Sequence, residues 1–132
     1  MSYTNNPTSI LAGTGISISP TSGTGSNTIT ISATGIQTLS VRTAIVTPVT
    51  VTNADDVVSV EVPGPVAVAV TLPAGVNGRV FNIKDGLGLA APATPITVTP
   101  SAGTIDGSAT ATINSPYGSL TLVYSGTEWK VI

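Results

Sequence analysis

Apolar and polar residues alternate along most of the chain in short runs that end at turn residues. The alternation has a period of two and is interrupted by Gly, Pro, Asn or Asp at about every tenth residue, which predicts β-strands and leaves no helical periodicity. We predict strands at residues 15–19, 27–32, 43–52, 57–62, 66–72, 79–85, 95–99, 109–113, 118–124 and 127–132. The pattern therefore predicts an all-β protein whose body is an antiparallel β-sandwich, jelly-roll-like or Ig-like.

Two segments of the body indicate its core. In VAVAVTL, residues 66–72, the valines and Leu72 fall on one face of a strand and smaller side chains fall on the other. The C-terminal LTLVYSGTEWKVI predicts a hairpin with Ser and Gly in its turn. Tyr124 and Trp129 carry much of the scarce aromatic area, so we expect them to be core anchors.

Residues 1–40 differ from the denser body at 41–132. The stretch GTGISISPTSGTGSNTITIS has only four large apolar side chains, and they alternate with polar residues on both sides of a turn: Ile16, Ile18, Ile29 and Ile31. Burying four isoleucines at roughly 1.5–3 kcal/mol each does not offset about 1–2 kcal/mol of backbone entropy per ordered residue. The segment is therefore a disordered linker or an extended β-structured arm that packs on identical arms or a host surface; the alternation favours the arm. We expect a homotrimer with the four isoleucines facing its axis.

Composition excludes several classes of partner. Charged residues make up 8% of the chain, the net charge is −2, and the four basic residues are scattered singly. No basic patch for nucleic acid or an anionic membrane is present. No apolar run approaches the roughly 18 residues of a membrane span, and MSYTNNPTS lacks a secretory pattern, so we expect a protein made in the cytoplasm.

The sequence offers little catalytic chemistry. It contains no Cys and no His, which excludes disulfides, thiol catalysis and histidine-based triads. Asp55 and Asp56 are adjacent, so on an extended chain they point to opposite faces, and we interpret them as solvated turn acids. Asp85 and Asp106 each precede Gly, as turn residues do. We therefore expect no enzymatic activity, no catalytic residue, no metal and no cofactor.

The order of short motifs resembles that of phage structural proteins. ILAGTGISISPTSGTGSNTITIS resembles the AGTGI…NTITIS segments of bacteriophage fibre and appendage proteins. Residues 79–132 are similar to a recurrent phage virion module in which IKD, PITVTP, GTIDG, YGS and a closing GTxW follow one another. The resemblance implies a β-sandwich body assembled as a trimer on a virion, as in fibres, head fibres and capsid decoration (cement) proteins. It carries no catalytic residues.

Two functions follow as expectations. The first is a trimeric capsid decoration or head-fibre protein that binds the major capsid protein at the virion surface and stabilises the shell; 132 residues suit an arm and one body. The second is a short tail fibre or adhesin, attached to a tail or baseplate protein, that binds host surface glycan. For that function Tyr117 in SPYGS is the best exposed sugar-binding candidate, although we favour a structural turn tyrosine there.

Overall fold

The computed structural model describes residues 16–20 and 29–33 as backbone and residues 38–132 with their side chains. The chain divides into two compact units, Met1–Thr38 and Leu39–Ile132, and each is described by itself. In the first unit, β1 (Ile16–Pro20) and β2 (Ile29–Ala33) pair antiparallel, with Ile18 opposite Ile31. The two strands predicted for this stretch are therefore confirmed.

The second unit is built of short strands. Across the described residues no helix is present, so the predicted all-β class is confirmed, and no helix long and apolar enough to cross a membrane is found there. Its strands are β3 (Val41–Ala44), β4 (Val49–Thr50), β5 (Val57–Val60), β6 (Val68–Leu72), β7 (Val80–Asp85), β8 (Ile96–Pro100), β9 (Ala111–Ile113), β10 (Ser119–Tyr124) and β11 (Trp129–Val131).

The strands of the second unit form two mixed sheets. One sheet has the order β11-β10-β7-β5-β3 and the other has the order β4-β6-β8-β9. Strands β3, β5 and β7 pair parallel with one another in the first sheet, and β4, β6 and β8 pair parallel with one another in the second. Strands β9, β10 and β11 add antiparallel pairs at the C-terminal end.

The predicted antiparallel pairing is thus wrong for much of the body. From β3 to β8 the chain crosses to the other sheet after every strand, so strands adjacent in sequence never pair, and each meets a parallel strand two positions away. The predicted strand at 43–52 accordingly divides into β3 and β4, which lie in different sheets. We call β3–β4, β5–β6 and β7–β8 the three windings of the body.

Both sheets contribute to one hydrophobic core. The parallel register places like side chains side by side on neighbouring strands. In the four-stranded sheet, Val49 and Val98 both pair with Val70. All three valines are buried, and each buried side chain of this size contributes about 1.5–3 kcal/mol. Val66, predicted on the core face, is instead 44% exposed, because β6 begins only at Val68.

Trp129 lies at the centre of the aromatic part of this core. Its side chain is fully buried, with ring centroids 5.4 Å from Phe81 and 5.3 Å from the half-buried Tyr124. The indole Nε1 has no hydrogen-bond partner among the residues that the structure describes. The Trp129 side chain therefore stabilises the body through its apolar area.

Replacing Trp129 tests this role. We expect Trp129→Ala to lower the free energy of unfolding by about 3–5 kcal/mol, because it leaves a cavity between the sheets. Trp129→Phe should lower it much less, since a ring remains and the unpaired N–H is removed. Urea unfolding followed by circular dichroism measures both changes, and equal losses in the two variants would contradict the packing argument.

Candidate interaction surface

Strand β3 forms an open edge of the five-stranded sheet. The carbonyls of Ser40 and Ala44 accept hydrogen bonds from Val57 and Glu61, so the even-numbered residues direct their backbone groups towards β5. Backbone groups alternate in direction along a strand, and those of Val41 therefore point away from the sheet. No described strand pairs with that side of β3.

The same edge carries large apolar side chains in contact with solvent. Leu39 is 68% exposed, Val41 67%, Ile45 63% and Val46 67%. We call these four residues the open-edge surface. Between positions 38 and 54 the single charged side chain is Arg42, so this surface lacks the charged residues that usually protect an edge strand from pairing with another chain.

Arg42 itself is neutralised by a buried carboxylate. Its Nε donates to Asp55 Oδ1 at 2.8 Å, and its Nη2 donates to the Thr50 carbonyl at 2.9 Å, which links β3 to β4 in the opposite sheet. Asp55 is 4% exposed, so its interpretation as a solvated turn acid is wrong. The Arg42 hydrogen bond lowers the pKa of Asp55, burial opposes this, and hydrogen bonds from Thr52 add to the lowering.

Asp56 faces a different cation. Its Oδ1 accepts from Arg79 Nη1 at 2.7 Å and its Oδ2 accepts from the Ser40 N–H at 2.8 Å. The Arg79 guanidinium also lies 4.7 Å from the centre of the Phe81 ring, within the range of a cation–π contact. Because Asp55 and Asp56 serve separate ion pairs, they do not form an acid/base pair.

The buried Asp85 carboxylate holds two loops in place by accepting hydrogen bonds from their backbones. It is 2% exposed and accepts backbone N–H bonds from Gly88 at 3.0 Å, Leu89 at 3.3 Å, Ala90 at 3.0 Å and Tyr117 at 3.1 Å. Burial raises the pKa of Asp85, but the four N–H donors outweigh it and hold the pKa below its ordinary value. The KDG turn thus contains a buried structural carboxylate rather than an ordinary surface Asp-Gly turn.

The C-terminal hairpin is fastened by Glu128. Its Oε2 accepts from Thr104 Oγ1 at 2.9 Å and from the Gly107 N–H at 2.8 Å, and its Oε1 accepts from Lys130. These bonds, led by the one from Lys130, lower the pKa of Glu128 to about 2.

The remaining carboxylates are also hydrogen-bonded. Asp106 accepts from the Val131 N–H at 3.1 Å. With Glu61 bound to the Ser59 hydroxyl, all six carboxylates of the chain accept hydrogen bonds inside the body.

The structure separates the residues that the sequence singled out. Trp129 and Tyr124 pack in the core, whereas the side chains of the four isoleucines lie outside the described part, so their role in assembly stays a prediction. In the described ranges no group of three or more ligating side chains could hold a metal. The open-edge surface was missed, although the nearly uncharged run LSVRTAIVTPV was its visible signal.

No protein-family model and no curated protein match this chain. Its function must therefore be inferred from its own residues and their geometry.

The buried carboxylates predict a loss of stability in acid. Asp55 and Asp85 have pKa values held below 3.8, so their contribution is complete above that pH and is lost as the pH falls through the lower folded-state values. We expect the free energy of unfolding, measured in urea from about pH 7 to about pH 2, to fall below about pH 4.

Asp85→Asn tests how much the hydrogen bonds of the buried Asp85 carboxylate contribute to stability. This variant should lower the free energy of unfolding by about 2–4 kcal/mol at neutral pH, because an amide oxygen replaces a carboxylate that accepts four N–H bonds. It should also make the fall of that free energy below about pH 4 less steep. Asp106→Asn, at a half-exposed carboxylate, is the control and should change stability far less. An acid decline of undiminished steepness in Asp85→Asn would contradict the assignment.

Proposed function

We propose that this chain is a structural protein of a bacteriophage virion, a homotrimeric capsid decoration or head-fibre protein that binds the assembled shell. The motif order from IKD to GTxW supports a virion protein. The observation that carries the proposal is the open-edge surface, four apolar side chains 63–68% exposed on and beside an edge strand whose outer side pairs with no described strand. The engagement of all six carboxylates in structural bonds favours a scaffold over an enzyme.

The open-edge surface fits a contact between copies of the chain. Each of its four side chains is at least 63% exposed, and exposed groups of apolar side chains are often functional. A stable interface buries about 800 Å² on each partner, which is more than four side chains can supply. The remainder must come from other parts of the chain.

The N-terminal arm, residues 1–40 with the four alternating isoleucines, is the proposed source of the additional interface area; we call it the isoleucine arm. Its paired backbone, β1 with β2, is an isolated two-stranded sheet in the first unit, and such a pair is marginal in water without further packing. We assign Ile16, Ile18, Ile29 and Ile31 to trimer formation and to attachment at the capsid. The open-edge surface begins at the residue that follows this unit in the chain.

Stabilisation of the capsid follows from mass action. A protein that binds the assembled shell and not its separated subunits stabilises the shell by RT ln(1 + [L]/Kd) per site. The proposed partner is the major capsid protein, and a trimer that contacts neighbouring subunits strengthens the shell at their junctions. This mechanism requires binding and no catalysis.

A short tail fibre that binds host glycan is the second candidate. Tyr117 favours it, because the side chain is 62% exposed. The number of copies per virion separates the two locations: tens to hundreds indicate the shell, and a handful indicates the tail. Quantitative mass spectrometry of purified virions measures it.

Charge at the open edge tests the contact between copies. We expect wild-type protein to have a native mass near three chains, and Val41→Asp with Ile45→Asp to raise the dissociation constant at least about a hundredfold, because unpaired carboxylates would be buried. Val76→Asp, at a loop valine 54% exposed, is the matched control and should keep the trimer. Light scattering over a concentration series measures all three.

Two outcomes would contradict this contact. A monomeric wild-type chain would refute the trimer, and an unchanged mass in the double variant would remove the open-edge surface from it. A fluorescence spectrum of Trp129 that matches the wild type verifies that each variant is folded, since this residue is the chain's one tryptophan.

The isoleucine arm is tested separately with Ile16→Asp and Ile31→Asp together. This double variant should weaken trimer formation or capsid attachment and leave the body folded, because the charges disrupt packing between arms. Native mass and occupancy on purified capsids are the measurements. If both are unchanged, the arm has no role in assembly.

A further inference from the structure

Tyr117 occupies a backbone position that normally takes glycine. The Gly118 N–H donates to the Ser115 carbonyl at 3.0 Å, which closes a turn with Pro116 and Tyr117 at its centre. Tyr117 has φ of 58°, and a turn with proline followed by positive φ has the form of type II, whose third residue is usually Gly. A large side chain at such a position indicates a use for that side chain.

Packing accounts for only part of this use, because the Tyr117 side chain lies against Gly88 and is still 62% exposed. The surrounding residues nevertheless fix its position. Its N–H donates to the buried Asp85 carboxylate, and its carbonyl accepts from Lys84 Nζ. Gly88 leaves space for the ring, since a Cβ there would overlap it. The backbone of Tyr117 is therefore fixed and its ring lies against Gly88 at the surface, which reduces the entropy lost when a ligand binds.

A cation without a carboxylate partner lies beside this ring. Arg42, Arg79 and Lys130 form ion pairs, whereas Lys84 forms none among the described residues. Lys84 Nζ is 5.9 Å from the centre of the Tyr117 ring. An anionic group on a ligand stacked against the ring would lie within reach of this ammonium group.

We infer that Tyr117 and Lys84 form a binding site for an acidic saccharide. The C–H face of a sugar stacks on the exposed ring, and its carboxylate pairs with Lys84. The exposed side chains of Asn114, Ser115 and Ser119 offer hydrogen bonds to hydroxyl groups. A single exposed ring with polar neighbours fits a sugar better than a lipid chain, which requires an apolar groove. This site deepens the second candidate function, glycan binding at Tyr117, and does not depend on the proposed trimer.

Binding is tested on the full chain with two defined sugars. Trigalacturonate is the acidic probe and maltotriose is the neutral one, and saturation-transfer NMR reports contact with each. We expect millimolar binding of trigalacturonate, weakened by added salt, and binding of maltotriose at least about fivefold weaker, because screening acts on the ion pair alone. Absence of trigalacturonate binding, or equal affinity for both sugars, would overturn the inference.

Three variants assign the contacts. Tyr117→Asn removes the ring and keeps a residue that tolerates positive φ, so trigalacturonate affinity should fall at least about tenfold while Tm stays within about 2 °C. Lys84→Gln should weaken trigalacturonate about fivefold and leave maltotriose unchanged. Lys130→Gln, at a cation already paired with Glu128, should change neither.

A structural role for the ring would give a different pattern. If Tyr117→Asn lowers Tm by more than about 5 °C, the ring stabilises the loop around Asp85 by packing on it, and the inference fails. If Lys84→Gln leaves trigalacturonate affinity unchanged, the acidic part of the inference fails. The native mass of the same samples tests the trimer independently, so failure of one proposal does not imply failure of the other.

Discussion

The architecture of the body depends on how its sheet edges are covered. Because the chain changes sheet after each strand from β3 to β8, every winding is hydrogen-bonded to the next one in both sheets. The C-terminal strands follow, and the outer side of β11 is bridged by Ile105. No described strand covers the outer side of β3, and four exposed apolar side chains lie on it and beside it, namely Leu39, Val41, Ile45 and Val46. The outer side of an edge strand presents unpaired backbone groups to which another chain can add, and natural proteins usually block such an edge or use it.

Charge is scarce in this chain and is placed where the backbone changes direction. Asp55 and Arg42 join the two sheets beside the first winding, Asp85 gathers the loop after β7 with the turn at Tyr117, and Glu128 secures the final hairpin. Buried carboxylates are costly unless fully hydrogen-bonded, and each of these accepts several donors. They therefore hold these loops in place through hydrogen bonds.

Period-two alternation predicted the strands well, since every predicted strand overlaps an observed one; at 43–52, however, two strands were merged. Alternation shows which face of a strand is buried, but it does not show which sheet the strand joins, so the parallel pairing was not predictable. The carboxylates show a similar limit: Asp85 and Asp106 both precede Gly, yet one is buried and the other is half-exposed. The Asp-Gly pair is the same in the two cases, and long-range packing decides between them.

The winding arrangement also bears on how such a body changes in evolution. Val49, Val70 and Val98 are aligned in the sheet, yet they are 21 and then 28 positions apart, so the windings differ in length while their strands stay in register. The difference is taken up by loops between strands. Since each winding contacts mainly its neighbours, as in solenoid proteins, duplication of a whole winding would lengthen the body without redesign of either end. If the body projects from a capsid as proposed, copying a segment of the gene would change how far it reaches.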